Sequence, residues 1–483
     1  MLSVYIVILT TALCLSGGFQ QGYIASVLNQ PYVYVQQFVN ETITERFGSQ
    51  PEENVLNMVW STLNIMFPIA SIIGQFVAAW MCKKWGRRIT GIVTCALYIP
   101  GTALCTVAYY ARSFELLFLG RLIWSLSNGI NSVNVTVWIV ECAPTRVRGA
   151  MAALQEFSMA AGSLLCQGVG IPFTSATLWP FVFLPNIPVV IFSGVMLFFV
   201  PDSPVSIVER EGDEEKARRA LAKYYGVGED SPILDGEIIA KKKGASSEPK
   251  RGIWWIFWPW AQVDDKDRVV RQAAWLGVMV KIAYVFTGAR CLRSYSTFIL
   301  HGLAKFDLDW ALWGSFLIGA LRIPATLVPV FLVDRLGRRP LLIVSTAVSV
   351  IALVVMVAAI LIGPSLQIVT FIAFAVLLLV NGAGLGSVSR FYAAELVPRS
   401  LLIDAVSILA GLEAFAKIVV EFAFYPVANV VGAWSLLAFV VPTALFLVMM
   451  WWMCPESSGR AVHEVLNDIA VRKNLKVKFD GSV

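Results

Sequence analysis

Charge is what this sequence has little of. Of its 483 residues only 14% are Asp, Glu, Lys or Arg, while 57% are apolar or aromatic; soluble domains carry roughly 25% charge and 45–50% apolar residues. That balance argues against an ordinary soluble enzyme and against a disordered or nucleic-acid-binding chain. Histidine is almost missing, with His301 and His463 alone. The eight cysteines stand singly, without a CxxC pair or a histidine neighbour, which speaks against structural zinc, an iron–sulfur cluster or a disulfide framework. No nucleotide loop, catalytic triad or metal cluster is legible, so the chain reads as a non-enzyme that needs no cofactor.

Long apolar runs are what it does have. A bilayer-spanning helix takes about 20 mostly apolar residues, and stretches of that length fall at 3–23, 55–80, 89–111, 114–139, 150–172 and 178–200, then at 270–299, 310–333, 341–362, 366–392, 403–430 and 433–454. Six precede and six follow a polar interval. The expectation is an all-α membrane protein of twelve transmembrane helices: 1–200 as one six-helix bundle, 201–269 as a cytoplasmic linker with helices, 270–454 as a second six-helix bundle and 455–483 as a cytoplasmic tail. The beginning resembles a signal peptide's apolar region but lacks basic residues ahead of it and runs on to about Val27, so it reads as a span. Within the linker, 209–225 has helical spacing, KKKGASSEPKR reads as a flexible basic link, and WWIFWPW (254–260) suits a membrane interface.

Twenty-eight of the 38 Lys and Arg lie at 81–90, 141–149, 201–271, 334–340, around 399, or beyond 455, whereas the alternate loops hold Arg46, Arg112 and Lys305. By the positive-inside rule both termini and the central interval are cytoplasmic. The loop 24–54 then lies outside, where Asn40-Glu41-Thr42 is a glycosylation sequon.

A long-period repeat links the halves. Gly86-Arg87-Arg88 recurs as Gly337-Arg338-Arg339, Glu141-Cys-Ala-Pro144 as Glu395-Leu-Val-Pro398, and Pro201-Asp202-Ser203 as Pro455-Glu456-Ser457, at offsets of 251, 254 and 254. Three motifs in one order and nearly one register indicate duplicated six-span halves, the architecture of alternating-access carriers. The expected chemistry is a reversible lock: guanidinium groups of Arg87, Arg88, Arg338 and Arg339 pair with Glu141, Glu395, Asp202 and Glu456.

With those residues in hand the chain resembles the sugar-porter family of the major facilitator superfamily, most like the animal facilitative glucose transporters. The resemblance rests on Gly120-Arg121, Glu141-x-x-Pro-x-x-x-Arg148-Gly149, Pro201-Asp-Ser-Pro204, Asp334-Arg-Leu-Gly-Arg-Arg339 and Pro455-Glu-Ser-Ser-Gly-Arg460, with Gln20-Gln-Gly-Tyr-Ile-Ala-Ser-Val-Leu-Asn29 near the start. It implies the major facilitator fold, a short cytoplasmic helical bundle over 204–250, and carriage of a hexose or similar small solute. The partners expected are that solute and the lipid bilayer, with no nucleic acid; the chain is expected to act as a monomer in the plasma membrane.

The site positions depart from the family pattern. Counting from the motifs, Glu156 stands where the family has Gln, and Gln167 keeps the later Gln of the same helix. In the seventh span Tyr284 and Arg290 replace a Gln and an Asn; Arg322 falls on the eighth-span Asn, and Arg390 on the tenth-span Trp. An unpaired charge inside a span costs about 2.5–3.5 kcal/mol on insertion scales, so these arginines must meet anions. Lys417 has Glu413 and Glu421 four residues to either side, which leaves Lys281, Arg290, Arg293, Arg322 and Arg390 in excess of the intramembrane acids. The candidate substrate ligands are therefore Glu156, Gln167, Tyr284, Arg290, Arg322 and Arg390. An organic-anion carrier (carboxylate, urate-like or sugar acid) stands beside the sugar reading, with internal salt bridges as the alternative use of the arginines. A non-transporting sensor is a third reading, because Lys83-Lys84, Val205 and Leu402 depart from the gating motifs. Ile24 follows Gly22-Tyr23 where proton-coupled relatives carry Asp, which favours facilitated diffusion.

Overall fold

The computed structural model describes residues 3–142, 145–229, 231, 264–397, 402–457, 460, 462–473, 475, 477 and 479, with the side chains of 140, 145–150, 152–153, 156, 327–335, 390–391, 393–395, 402–407 and 410 not described. The basic link and the aromatic patch of the linker lie outside the described residues. Among those described there is no strand. The chain divides into two compact units, Met1–Pro249 and Lys250–Val483.

In the first unit, α1 is Val4–Ser26, with a π turn at Cys14–Gly18. The Ser3 hydroxyl caps its start by accepting from the Tyr5 amide at 3.3 Å. α2 is Tyr32–Phe47, stopped by Gly48 at φ 73°. The run Glu53–Tyr110 is interrupted at Gly86, φ 84° and ψ 173°, a backbone region open essentially to glycine; it therefore forms two helices, α3 (53–85) and α4 (87–110). There follow α5 (Phe114–Cys142), α6 (Thr145–Phe173), a 3-10 turn at Trp179–Phe183 leading into α7 (Asn186–Phe198), and the shorter α8 (Pro204–Glu211) and α9 (Glu214–Tyr225). Asp213 caps α9, accepting from the Lys216 amide at 2.8 Å.

Apolar burial cannot drive helices together in lipid, so close approach and hydrogen bonding must. The α1–α6 seam does this with small residues. A side chain at Gly22 would overlap the Met159 carbonyl, and one at Gly162 the Phe19 carbonyl. Across the same seam Ser26 and Ser163 share a 2.6 Å hydrogen bond, and the Gly18 amide donates to Gln155 Oε1 at 3.0 Å.

In the second unit, α10 (Asp265–Phe286) turns at Gly288 into a short helix, Ala289–Ser294, and a π turn at Ile299–Leu303. Then come α11 (Leu308–Leu336), α12 (Arg338–Ile362), α13 (Gln367–Ala383), α14 (Leu385–Glu395), α15 (Leu402–Val431), α16 (Leu437–Met453) and α17 (Val462–Arg472). Val269, Leu396, Met450, Leu466 and Ile469 pack in one buried cluster that binds α17 to the spans. Phe479 joins it, its amide donating to Asn467 Oδ1 at 2.8 Å.

Each of the twelve apolar runs falls on a helical run. The outer faces are apolar: Phe76 is 78% and Trp452 80% exposed, far more than water would tolerate in contiguous patches. Arg338–Ile362 has a mean hydropathy of 2.8, which fits a helix solvated by hydrocarbon.

Candidate functional site

The sequence repeat is a structural repeat built on helix ends. α4 and α12 each begin immediately after a glycine with positive φ, Gly86 and Gly337 (φ 87°), and their first amides have no intrahelical acceptors. In the first unit the amides of Arg87 and Arg88 both donate to Asp202 Oδ1 at 3.0 Å. In the second the amides of Arg338 and Arg339 donate to Glu456 Oε1 and Oε2 at 2.9 and 3.1 Å. A carboxylate on the positive end of a helix dipole is stabilising at both places. The glycines are required sterically as well: a Cβ at Gly337 would meet Glu456 Oε2 at 2.8 Å, and one at Gly86 would collide with Asp202.

The second arginine of each motif does matching work at the other end of a helix. Arg88 Nη2 donates to the Phe198 carbonyl at 2.6 Å, and Arg339 Nη2 to the Trp451 carbonyl at 2.8 Å, satisfying late carbonyls of α7 and α16. The Gly-Arg-Arg turns thus hold Asp202 and Glu456 through their backbone amides, and the guanidinium that reaches Asp202, at 3.4 Å, is that of Arg210 on α8. Arg87 does form the expected ion pair, with Glu141 at 2.6 Å, and Glu141 also accepts from the Ser203 hydroxyl. The side chains of Arg148, Asp334 and Glu395, assigned to the same network, lie outside the described residues.

Inside the spans the two units differ. On α6, Gln167 is 2% exposed, and its Oε1 is buried with no hydrogen-bond partner among the described residues, an acceptor left open to a donor. The side chain of Glu156 is not described. On α5, Asn128, Asn131 and Asn134 are fully buried, and their amides bond Tyr98 Oη, the Ser16 carbonyl and the Arg87 carbonyl. Arg121 donates to the Ile24 carbonyl at 3.1 Å.

The second unit instead holds a charge network. Glu413 on α15 accepts from Lys281 of α10 at 2.8 Å and pairs with Lys417 one turn along its own helix. Glu421, two turns beyond Glu413, pairs with Arg290 Nε at 3.5 Å. Lys417 sits over the Tyr284 ring at 5.9 Å, and Asn381 donates to Thr287 Oγ1 at 2.9 Å beside it. Arg322 on α11 is half-buried and lies near Gly382, where a Cβ would come within 3.9 Å of its Nε. No carboxylate among the described residues pairs with Arg322. Arg390 lies outside the described side chains.

Two parts of this were not read from the sequence. Lys281, counted as surplus, has its acid in Glu413, and Glu421, assigned to Lys417, reaches Arg290. The i, i+4 spacing within α15 was visible; the approach of α10 and of the Ala289–Ser294 segment to α15 was not, since no sequence pattern encodes it.

Asn40, the sequon residue, is half-buried on α2, and Thr42 is 2% exposed with its hydroxyl bonded to the Phe38 carbonyl at 2.7 Å.

Comparison with known proteins gives the frame for this geometry. The chain is 26% identical over 480 residues to mouse (Mus musculus) solute carrier family 2, facilitated glucose transporter member 7, covering 98% of this chain and 91% of that protein. It is 25% identical over 454 residues to human (Homo sapiens) facilitated glucose transporter member 3, covering 93% and 89%. The inward-open structure of the xylose transporter XylE from E. coli superposes with a TM-score of 0.78 at 18% identity, over 96% of this chain and all of that one. The partially occluded inward-open form gives 0.75 over 94%. The fold is thus the twelve-helix major facilitator fold. The family model "Sugar (and other) transporter" matches residues 9–468, and the chain, a multi-pass membrane protein, belongs to that family.

Proposed function

We propose that this protein moves a hexose or sugar-like small solute across the membrane by alternating access, as facilitated diffusion. The observation that carries the reading is the twice-built gate, Gly86-Arg87-Arg88 with Asp202 and Gly337-Arg338-Arg339 with Glu456, in a chain whose family match runs from residue 9 to 468. Carboxylates that cap helix ends through hydrogen bonds hold one arrangement and release it without large cost, which a rocking carrier needs. The partner is the solute itself, and the protein acts as a monomer in the plasma membrane with both termini cytoplasmic. Asn40 is the proposed carbohydrate acceptor, modified before α2 closes over Thr42. In the substrate site we assign Gln167 as a hydrogen-bond acceptor for a hydroxyl and Tyr284 as an aromatic face; Glu156, Arg290, Arg322 and Arg390 complete the proposed set.

A second reading, transport of an organic anion, is favoured by one observation. Lys281, Arg290, Arg322 and Lys417 outnumber the two carboxylates described among them, Glu413 and Glu421, and Arg322 has no carboxylate partner among the described residues. An arginine without a counter-charge in a span is a ligand position for a carboxylate.

The experiment is uptake by the purified protein in liposomes, comparing labelled glucose and fructose with small organic anions at two membrane potentials. Saturable hexose uptake indifferent to potential supports the first reading. Potential-sensitive anion uptake with inert hexoses supports the second, and no flux of either would sink both in favour of a non-transporting sensor.

A further inference from the structure

The first unit has a cavity at the ends of its spans, remote in chemistry from their interior. It measures about 760 Å³ and is walled by the start of α4, the end of α7, and α8 and α9. One wall is apolar and uncovered: Ile89 is 46%, Phe198 58% and Phe199 68% exposed. These residues stand at the ends of membrane spans, so their neighbours are acyl chains. The other wall is basic, with Arg88, Arg210, Lys216, Arg219 and Lys223 against Asp202 and Glu211.

The charges do not cancel. Arg210 bridges Asp202 at 3.4 Å and Lys216 bridges Glu211 at 2.6 Å, which accounts for both acids. Arg88 spends its guanidinium on the Phe198 carbonyl, keeping its charge. Among the described residues the Lys223 ammonium has the Tyr5 ring, at 5.6 Å, and no carboxylate, and Arg219, exposed on α9, has no ion-pair partner. Three positive charges are therefore uncompensated beside a hydrocarbon-facing wall.

We propose that this cavity binds an anionic phospholipid, its phosphorylated headgroup on Arg88, Arg219 and Lys223 and its acyl chains along Ile89, Phe198 and Phe199. The proposal rests on the orientation given above, which puts this face in the cytoplasmic leaflet where anionic lipids reside. A free phosphate would meet the basic wall but gain nothing from the apolar one; the two walls together select a lipid. The bound lipid ties α9 to the start of α4, next to the Asp202 cap.

The test is native mass spectrometry of the full-length protein in detergent. The probes are phosphatidylinositol 4-phosphate, phosphatidylcholine and water-soluble inositol bisphosphate. The expected result is selective retention of the phosphoinositide, reduced about ten- to thirtyfold in R219Q/K223Q, the loss anticipated for two cations near an anionic surface. Both residues are exposed and outside the gate, so thermal unfolding of that variant should match wild type. Phe199→Ala should weaken lipid retention through the other wall. Equal retention of phosphatidylcholine, undiminished retention in R219Q/K223Q, or full competition by inositol bisphosphate would each overturn the proposal. Loss of hexose or anion flux would not bear on it, since binding is read directly.

Discussion

Replacing Glu413 by Gln tests whether the charge network of the second unit is structural. The side chains involved are largely withdrawn from solvent: Lys281 is 11%, Lys417 15% and Glu413 14% exposed. Glu413 is the one carboxylate that both lysines contact, so E413Q leaves two buried ammonium groups facing a neutral amide. Removing one partner of a buried pair costs about 3–5 kcal/mol. For a unit of this size each kcal/mol shifts the unfolding midpoint by roughly 2–4 °C, so the expected fall is on the order of 10 °C. The assay is thermal unfolding of the purified protein in detergent, followed by intrinsic fluorescence. The companion variant K281M/E413L/K417M removes all three charges and keeps the volume apolar. It should recover most of the loss, because a matched hydrophobic replacement of buried ions is close to neutral. A midpoint for E413Q within about 2 °C of wild type, a shift worth less than about 1 kcal/mol, would refute the reasoning, as would a triple variant less stable than E413Q.

Other outcomes are specific enough to check. Asp202→Ala and Glu456→Ala each strip two helix amides of their acceptor, and each should cost about 1–2 kcal/mol, read as similar falls in unfolding midpoint; a large effect at one site only would break the equivalence of the repeats. Gly86→Ala and Gly337→Ala should each cost at least about 1–3 kcal/mol from backbone strain, and should also speed labelling of a cysteine placed beside Ser203 or Ser457. Arg322→Gln should leave a hexose carrier's flux within a few-fold of wild type but abolish flux of an organic anion, so one uptake assay with both substrates separates the two readings. Asn40→Gln should remove an endoglycosidase-sensitive mobility shift in protein from eukaryotic cells; a shift that persists would place the carbohydrate elsewhere.

The parts of this molecule legible in its sequence are those governed by local rules. Span length is a local property, so runs such as 341–362 and 89–111 announced α12 and α4 without knowledge of their neighbours. Gly86 and Gly337 were legible as a repeat, and the positive φ at both explains why only glycine serves. What was not legible is which atom of a motif does the work. Asp202 and Arg88 look like an ion pair in a list of charges, yet the acid serves backbone amides and the base a backbone carbonyl, and helix ends create those demands only once the helices exist. Lys281 failed for a different reason. Its partner lies 132 residues away on α15, and a count of acids within each span could not have joined them.

The two units keep one feature in common and differ in another, and the physics suggests why. The gate is constrained at every atom: the carboxylate must reach two amides, the glycine must hold its unusual backbone, and the second arginine must reach a carbonyl, so drift at any position breaks all three. The interior is constrained only by charge balance. In the first unit Asn128, Asn131 and Asn134 meet it with neutral amides bonded to neighbouring helices. In the second, Lys281 and Lys417 share Glu413, and Arg290 pairs with Glu421, so each of these three cations has a carboxylate beside it. Such compensated charges can accumulate without a ligand to explain them, which is why Arg290 is poor evidence for an anionic substrate. Arg322 has no such carboxylate among the described residues, and its demand for a partner is what makes the substrate's own charge the quantity to determine.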